Sequence, residues 1–438
     1  MHGVKEYLNV FFLRVMALGV LWLGWGILVL QGKAPWEVWQ LGVFSGLVII
    51  GMFVEYVTRF RGDGVLLSLV LMIMSMGLVF VMRIDADLGN KDLSMHIVWA
   101  CVGIVAYYGV VFGLKDYRRL GNYRYLWGVL AVILLGVTLV FGMSQFGATR
   151  WFQVGALSVQ PEEMVKVCAL LFLAAYLNAN KELLSIGNIQ LGPLSLPGRR
   201  VIGPFLMLMV LVLGSLAAQR SLGTAMVFFF LFVLMMYLVT GRKLYLVSSL
   251  PLAGVCAVLA YFLFSHVRVR VDGWLDPWAD VAGDGYQMAQ SLFALAAGGI
   301  FGTGLGQGAG ASQIPVAESD FIFAVIAEEL GFIGAVALIA LFIVLIVRCF
   351  VTSLRVVDRF GQILAAGVGI LLGVESLVIL AGVLKLFPLT GLVLPWVSLG
   401  GNSLVLHFLL LGLLANMSHM SARIGPGAVA KRGEVYEL

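Results

Sequence analysis

Runs of about 17–25 apolar residues recur along the whole chain, and each is long enough to cross a bilayer as an α-helix. Of the 438 residues, 61% are hydrophobic and only 12% are charged, whereas about 25% of a soluble domain is charged. A soluble core cannot bury so much apolar surface, so lipid must solvate most of the chain. The sequence therefore predicts an all-α fold, a polytopic integral membrane helical bundle.

We predict twelve transmembrane helices, near residues 10–31, 39–58, 64–83, 95–114, 123–143, 160–178, 202–219, 221–240, 243–265, 320–349, 362–387 and 400–420. The first run is expected to be a retained anchor rather than a signal peptide, because a second span follows at once. An even number of spans places both termini on one side. With the N-terminus inside, 19 of the 28 Lys and Arg residues fall on the inner side and 8 on the outer. The positive-inside rule then predicts that both termini are cytoplasmic.

The one long connection between predicted spans covers residues 266–319 and lies on the outer side. It contains Trp274, Trp278 and Tyr286, whereas disordered segments are poor in aromatic residues. Long ordered loops are usually functional, so we expect this loop to fold back over the membrane surface and to carry chemistry. The net charge of +5 is scattered among loops, which argues against a nucleic-acid partner.

Ionisable residues inside predicted spans are costly in lipid, so each is a functional candidate. Glu163 and Lys166 are three residues apart on one helix and can neutralise each other. Asp320 lies where the long loop re-enters the membrane. The remaining candidates are Glu328, Glu329, Glu375, Lys385 and His407. The alternative for each is an interhelical ion pair that only holds the bundle together.

Other patterns can be discounted. Gly302, Gly304 and Gly306 resemble a nucleotide-binding run, but no strand precedes them, so close packing or loop flexibility is the better interpretation. Asp272, Asp276, Asp280 and Asp284 recur every four residues, yet Pro277 and Gly283 interrupt any helix that would align them. No histidine pair has HxxxH or HxH spacing, which excludes a zinc hydrolase of that type.

Five groups of motifs occur in order between residues 64 and 420. They are Gly147-Ala-Thr-Arg150-Trp151; Gln160-Pro161-Glu162-Glu163-Met-Val-Lys166; Asp276-Pro277-Trp278 with Gly285-Tyr286-Gln287 and Gln290-Ser291-Leu292; Ser319-Asp320-Phe321-Ile322-Phe323-Ala324 with Glu328-Glu329-Leu330-Gly331; and Pro388-Leu-Thr390-Gly391 with Leu394-Pro395 and Ser398-Leu399-Gly400-Gly401. Together they resemble the SEDS (shape, elongation, division and sporulation) family of RodA-, FtsW- and SpoVE-like proteins.

The resemblance implies a ten-helix polymerase core at 63–421, with residues 1–62 an added two-helix segment and 422–438 a cytoplasmic tail. It further implies an inverting glycosyltransferase that polymerises lipid II into peptidoglycan strands, releases undecaprenyl pyrophosphate and works with a single-span class B penicillin-binding protein. The attacking sugar hydroxyl needs a general base, and the lipid diphosphate leaving group needs cations.

The resemblance also implies roles for single residues. Asp320 is the expected catalytic base, and Glu318 is expected to modulate it because two nearby carboxylates repel each other. Expected substrate-binding residues are Arg150, Glu163, Lys166, Arg270, Gln287 and Ser398. A divalent cation, Mg²⁺ or Mn²⁺, is compatible with a diphosphate substrate although no ligand set can be named, and no organic cofactor is expected.

The sequence departs from the family pattern at positions near these motifs. Gln219-Arg220-Ser221-Leu222-Gly223-Thr224 stands where the family usually has Q-P-D-L-G-T, and Glu162 replaces the usual serine. Two alternative functions stay open. One is a flippase or permease for a lipid-linked sugar, which the ionisable residues inside the spans also suit. The other is a non-catalytic cell-wall scaffold, which only the missing aspartate at Ser221 favours. The long outer loop that ends in Asp320 favours a polymerase, since a translocator needs polar groups at the midplane.

Overall fold

The computed structural model describes residues 2–34, 39–89, 92–145, 148–154, 157–185, 189–191 and 194–424. Its helices are α1 His2–Leu30, α2 Trp39–Val57, α3 Gly64–Leu88, α4 Asp92–Gly113, α5 Arg118–Gly121, α6 Arg124–Phe141, α7 Pro161–Ser185, α8 Arg199–Ala218, α9 Leu222–Thr240, α10 Lys243–Leu263, α11 Ser265–Leu275, α12 Tyr286–Gly298, α13 Gly310–Gln313, α14 Ile322–Arg355, α15 Arg359–Val383 and α16 Gly401–Ile424. Within the described residues, 12 of these are long and apolar enough to cross a membrane. The prediction of an all-α polytopic membrane protein is confirmed.

In the part of the chain that the structure describes, five short strands lie in connections between helices: β1 Met143–Gln145, β2 Ala148–Val154, β3 Leu157–Val159, β4 Ile189–Leu191 and β5 Leu194–Leu196. The first three form one antiparallel sheet in the order β1-β2-β3, and the other two form a hairpin. These strands are too short to alter the fold class.

The chain forms two compact units. The first comprises the residues up to Leu114, the segment Phe264–Arg348 and the residues from Glu375 onward. The second comprises Lys115–Leu263 and Cys349–Val374. Each unit is described by itself.

In the first unit α1 packs along α3, α2 packs against α4, and α16 packs against α4. Small residues permit these close approaches, since a Cβ atom on Gly24 would lie 2.5 Å from Val79 Cγ2. A buried ion pair joins the two N-terminal helices: Arg14 Nη1 lies 2.8 Å from Glu55 Oε2. Tyr108 donates a hydrogen bond of 3.1 Å to the same carboxylate. Helices α1 and α2 are thus joined to each other by an ion pair, and α2 is attached to α4 by a polar contact as well as by packing.

In the second unit α6 packs against α7 and α8, and α9 packs against α7 and α8. Helix α7 is buried along most of its length, including Leu170, Leu173 and Leu177, whereas Val255 and Phe262 of α10 are exposed. An apolar helix with exposed apolar side chains is what a lipid-facing span requires.

The connection between α10 and α14 contains α11, α12 and α13. The aromatic content of this connection predicts an ordered segment, and the three helices show that it is ordered. Trp274 Nε1 of α11 donates a hydrogen bond of 3.0 Å to Lys385 O, which fixes this connection to the segment after α15.

Candidate active site

The glycine-rich stretch after α12 packs its backbone directly on the start of α14. Thr303 N and Gly304 N donate hydrogen bonds of 2.9 and 3.0 Å to the carbonyl oxygens of Glu328 and Glu329. A Cβ atom on Gly302 would lie 2.2 Å from Glu329 O, and Gly302 has a φ of +83°. Only glycine meets both conditions, so close packing, one of the two interpretations retained from the sequence, is what the structure shows.

The side chains of Glu328 and Glu329 are held by the same stretch. Glu329 accepts hydrogen bonds from Gly306 N at 2.8 Å and Gly308 N at 3.2 Å. Glu328 accepts from Ala309 N at 3.0 Å and from Gly310 N at 2.8 Å. Successive backbone N–H groups of this kind form an anion-binding concavity. Here the anions are two carboxylates of the protein itself.

Arg83 of α3 completes this arrangement. Its Nε atom lies 3.0 Å from Glu329 Oε1, and its Nη2 atom donates a hydrogen bond of 3.0 Å to Gly308 O. Its Nη1 atom lies 2.5 Å from Asp87 Oδ2, and Lys33 Nζ lies 2.6 Å from Asp87 Oδ1. A chain of four alternating charges therefore runs from the end of α1 to α14, and we call it the Lys33–Glu329 chain.

Asp320 lies two residues before α14, next to the glycine-rich stretch along the sequence. A Cβ atom on Gly391 would lie 3.5 Å from Asp320 Oδ2 and 3.3 Å from Arg270 Nη2. The carboxylate and the guanidinium group are therefore close to one point beside Gly391. Arg270 is fixed there because its Nη1 atom donates a hydrogen bond of 3.0 Å to Thr390 O. The structure thus brings together two predicted site residues that are fifty positions apart in the sequence.

Ser398 supports the backbone that carries the carboxylates. Its hydroxyl group donates a hydrogen bond of 2.5 Å to Ser319 O and accepts one of 3.0 Å from Leu394 N. Leu399 N donates a hydrogen bond of 2.8 Å to Glu318 O. These contacts hold the Glu318–Asp320 segment in place. The predicted binding of substrate by Ser398 stays a prediction.

Two of the other predicted residues have fewer contacts. Gln287 is the second residue of α12 and is half-buried; its amide makes no hydrogen bond with the described part of the chain. The Glu318 Oε2 atom is buried and has no hydrogen-bond partner among the described residues. Arg150 lies in β2, and its side chain falls outside the described residues.

The second unit contains the predicted pair Glu163 and Lys166 at the start of α7. Lys166 Nζ lies 2.8 Å from Glu163 Oε1, and the two side chains are 3% and 7% exposed. The pair predicted from their three-residue spacing is therefore formed, in a buried position. The Lys166 ammonium group is one of the three cations that the family resemblance implies for substrate binding, with Arg150 and Arg270.

The two departures from the family pattern contact each other in this unit. The Ser221 hydroxyl group donates a hydrogen bond of 2.7 Å to Glu162 Oε2, and both residues are buried. Gln160 Nε2 donates to the other oxygen of the same carboxylate. A carboxylate and a hydroxyl group thus still meet at this place, although each stands at the position where the family pattern has the other.

A divalent cation requires several oxygen ligands. Within the described residues no group of three or more His, Cys, Asp and Glu side chains could hold a metal ion. The described side chains therefore do not form a donor set for Mg²⁺ or Mn²⁺ by themselves. A cation bound to the diphosphate stays a proposal, and no step below depends on it.

Sequence reasoning did not single out Arg83 as a functional or structural residue. The side chain is 1% exposed and pairs with Glu329, 246 positions away. The spacing of Arg83 and Asp87, four residues apart on one helix, was an available signal. His407 and Glu375 also prove to be a pair, with Nε2 and Oε2 2.7 Å apart.

Comparison with known proteins gives relatives along most of the chain. The family model described as cell cycle protein, for FtsW, RodA and SpoVE, matches residues 64–423. The peptidoglycan glycosyltransferase RodA of Mycobacterium tuberculosis is 36% identical over 412 residues, covering 91% of this chain and 87% of that protein. The stage V sporulation protein E of Bacillus subtilis is 31% identical over 370 residues, covering 82% and 97%.

Solved structures agree with these relatives. One chain from a study of the structural coordination of polymerization and crosslinking by a peptidoglycan synthase complex has a TM-score of 0.67 and 29% identity. It covers 82% of this chain and 98% of its own length. The rod shape determining protein RodA of Thermus thermophilus has a TM-score of 0.56 and 26% identity, covering 82% and 97%. The chain belongs to the FtsW, RodA and SpoVE family of membrane proteins.

Proposed function

We propose that this protein is a peptidoglycan glycosyltransferase that polymerises lipid II at the outer surface of the plasma membrane. The observation that carries the proposal is the Asp320 carboxylate beside the Arg270 guanidinium group at Gly391. Relatives named peptidoglycan glycosyltransferase, at 36% identity over most of the chain, support it.

The reaction needs a base at the attacking hydroxyl group and positive charge near the departing diphosphate. Asp320 accepts the proton of the attacking sugar hydroxyl group. The hydroxyl oxygen attacks the anomeric carbon of the second sugar, and the bond from that carbon to the lipid diphosphate breaks with inversion. Arg270 places positive charge beside that base, where it can bind a phosphate oxygen. Lys166 and Arg150 are proposed as further phosphate ligands, with Glu163 orienting Lys166 and Gln287 contacting the sugar.

The buried charges described in the membrane spans have partners within the protein: Arg14 with Glu55, Arg83 with Glu329, and Lys166 with Glu163. Such pairs stabilise a bundle without any transported ligand. They therefore give no separate support to a flippase or permease, and the polymerase is the function that the site favours.

A class B penicillin-binding protein is the proposed partner. The similarity to a chain of a peptidoglycan synthase complex that couples polymerization and crosslinking supports this proposal. We further propose that both termini are cytoplasmic, on the basis of the distribution of Lys and Arg residues.

The test is polymerisation of lipid II by purified protein, with and without the transpeptidase. Asp320→Asn should lower the rate by about 100-fold or more, as expected for loss of a general base. Asp284→Asn is the matched control, because Asp284 is an exposed carboxylate of the same connection. Asp320→Asn should keep the melting temperature of the unchanged protein and still co-purify with the transpeptidase. Retention of most activity by Asp320→Asn would refute the assignment of the base.

A further inference from the structure

A cavity of about 580 Å³ opens in the second unit where α6 begins and α7 approaches its end. Its lining includes Arg118, Asn122, Arg124, Tyr125, Asn178 and Phe360, and no acidic residue. Proteins bind small molecules in cavities of roughly 300–1,000 Å³. None of these residues belongs to the motifs of the proposed polymerase site, so the cavity needs an explanation of its own.

Arg118 lines this cavity, and its side chain is 31% exposed. Its Nε atom lies 3.1 Å from Asp358 Oδ1, but its Nη2 atom is buried and has no hydrogen-bond partner among the described residues. Leaving a buried donor unpaired costs about 1–3 kcal/mol, more for a charged group. The Arg118 guanidinium group is therefore only partly compensated by the described residues.

Asp358 compensates Arg118 through its Oδ1 atom and is itself held by two further donors. Tyr117 donates to Oδ1 together with Arg118, and Gly361 N donates a hydrogen bond of 2.9 Å to Oδ2. Burial raises the pKa of Tyr117 above its ordinary value, and the hydrogen bond and charge of Asp358 raise that pKa further. The phenol thus stays protonated as a donor, and Arg118 is held in one orientation.

Arg124 brings a second positive charge to the same cavity. Its guanidinium carbon lies 5.0 Å from the centroid of the Tyr125 ring, and no ion pair joins it to an acidic side chain of the described residues. The Asn178 amide likewise makes no hydrogen bond within the described part of the chain. The cavity thus has two guanidinium groups, and Asp358 compensates part of the charge of Arg118. Together with the Asn178 amide they suit an anion with several acceptor oxygens.

The surroundings indicate where this anion comes from. The cavity lies at the ends of membrane-spanning helices, and Lys115, Arg119, Lys181 and Arg359 occur in the adjoining connections and helix ends. Below the cavity rim α6 exposes apolar side chains: Tyr125 is 54% and Leu126 57% exposed. A ligand with a charged head at this rim and acyl chains along α6 would satisfy both features. Basic pockets between membrane helices bind anionic lipid headgroups in this way.

We propose that this cavity binds the phosphodiester headgroup of an anionic phospholipid. The phosphate accepts hydrogen bonds from the accessible part of the Arg118 guanidinium group and from Arg124. The rest of the headgroup fills the cavity beside Asn178, and the acyl chains lie along α6. A bare phosphate ion would supply the same acceptors but would leave most of the cavity and all of the apolar face unused.

The experiment measures lipid retained by the purified full-length protein, using native mass spectrometry with added phosphatidylglycerol and, separately, phosphatidylcholine. The unchanged protein should retain phosphatidylglycerol in preference. Each cation near a membrane surface contributes about fivefold in affinity, so Arg118→Gln with Arg124→Gln should weaken retention on the order of 25-fold. Arg119→Gln is the matched control, because Arg119 is exposed and does not line the cavity.

A second variant separates the cavity from simple surface charge. Ala179 is exposed and lines the cavity, so Ala179→Phe fills it, leaves both arginines in place and should also lose phosphatidylglycerol. Its melting temperature, measured in phosphatidylcholine, checks that it is folded.

Three results would overturn the proposal. They are equal retention of the two lipids by the unchanged protein, an equal loss in Arg119→Gln, and full retention in Ala179→Phe. Displacement of phosphatidylglycerol by millimolar glycerol 3-phosphate would show a site for soluble phosphates and would also refute a lipid site. Lipid II polymerisation is not the readout, so failure here leaves the proposed function untouched.

Discussion

Replacing Arg83 by methionine is expected to destabilise the protein by about 3–5 kcal/mol, the usual cost of breaking a buried ion pair. Arg83 is 1% exposed and contacts Glu329, Asp87 and Gly308 O. Without the guanidinium group, Glu329 keeps its two hydrogen bonds from backbone N–H groups but loses the only cation of the described residues within ion-pair distance. Methionine fills a similar volume, so the loss of charge dominates over the loss of packing.

The Lys33–Glu329 chain also provides an internal control, at Lys33. Lys33 is 37% exposed, and its ammonium group pairs with Asp87 at one end of the Lys33–Glu329 chain. Exposed ion pairs contribute about 0–1 kcal/mol, so Lys33→Met should change stability far less than Arg83→Met. The double variant Arg83→Met with Glu329→Gln should be more stable than Arg83→Met alone, because no uncompensated carboxylate remains buried.

Thermal unfolding in detergent, followed by tryptophan fluorescence, checks this order. A loss of 1 kcal/mol lowers the melting temperature by about 2–4 °C in a chain of 150–250 residues. This chain is longer, so we expect a decrease of roughly 5 °C for Arg83→Met. Polymerisation should fall as well, because the Lys33–Glu329 chain holds the glycine-rich stretch that precedes Asp320. Equal melting temperatures for Arg83→Met and Lys33→Met, or no gain in the double variant, would refute the reasoning.

Three further outcomes are expected. Cysteine labelling from outside intact cells should reach Ser312→Cys but not Ser421→Cys; outside labelling of the second would refute the proposed orientation. Lys166→Met should abolish polymerisation while the protein stays folded. Adding Glu163→Gln to Lys166→Met should restore stability but not activity. Near-normal turnover of Lys166→Met would show that Lys166 has only a structural role. Removal of the residues before Phe60 should leave polymerisation measurable with a lower melting temperature, and complete loss in a folded truncation would contradict this.

The sequence was sufficient to predict the membrane spans because hydrophobic length is a local property. Each span is visible in its own 20 or so residues, and the 12 spanning helices of the described residues lie close to their predicted positions. The pair of Glu163 and Lys166 was predictable for the same reason, since a spacing of three places both on one helix face.

Contacts between distant segments could not be predicted in this way. Nothing near Arg83 in the sequence points to Glu329, and nothing near Gly391 points to both Arg270 and Asp320. These contacts depend on how the connection after α10 folds onto α14, which no helical periodicity encodes. Motif resemblance named Asp320 and Arg270 as functional, but only the structure shows that they lie beside the same glycine.

The pair of Glu162 and Ser221 shows why substitutions read one at a time can mislead. Read singly, Ser221 removes an acidic group and Glu162 adds one, and the first change favoured a non-catalytic scaffold. In the structure Ser221 Oγ donates a hydrogen bond of 2.7 Å to Glu162 Oε2, so one carboxylate and one hydroxyl group are retained. We therefore expect Glu162→Ser combined with Ser221→Asp to polymerise lipid II within about threefold of the unchanged protein. Each single change should be worse, because a hydrogen bond to a charged group contributes about 1.5–3 kcal/mol. A double variant whose loss of activity equals the product of the two single losses would show that the two positions act independently, and the scaffold alternative would regain its support.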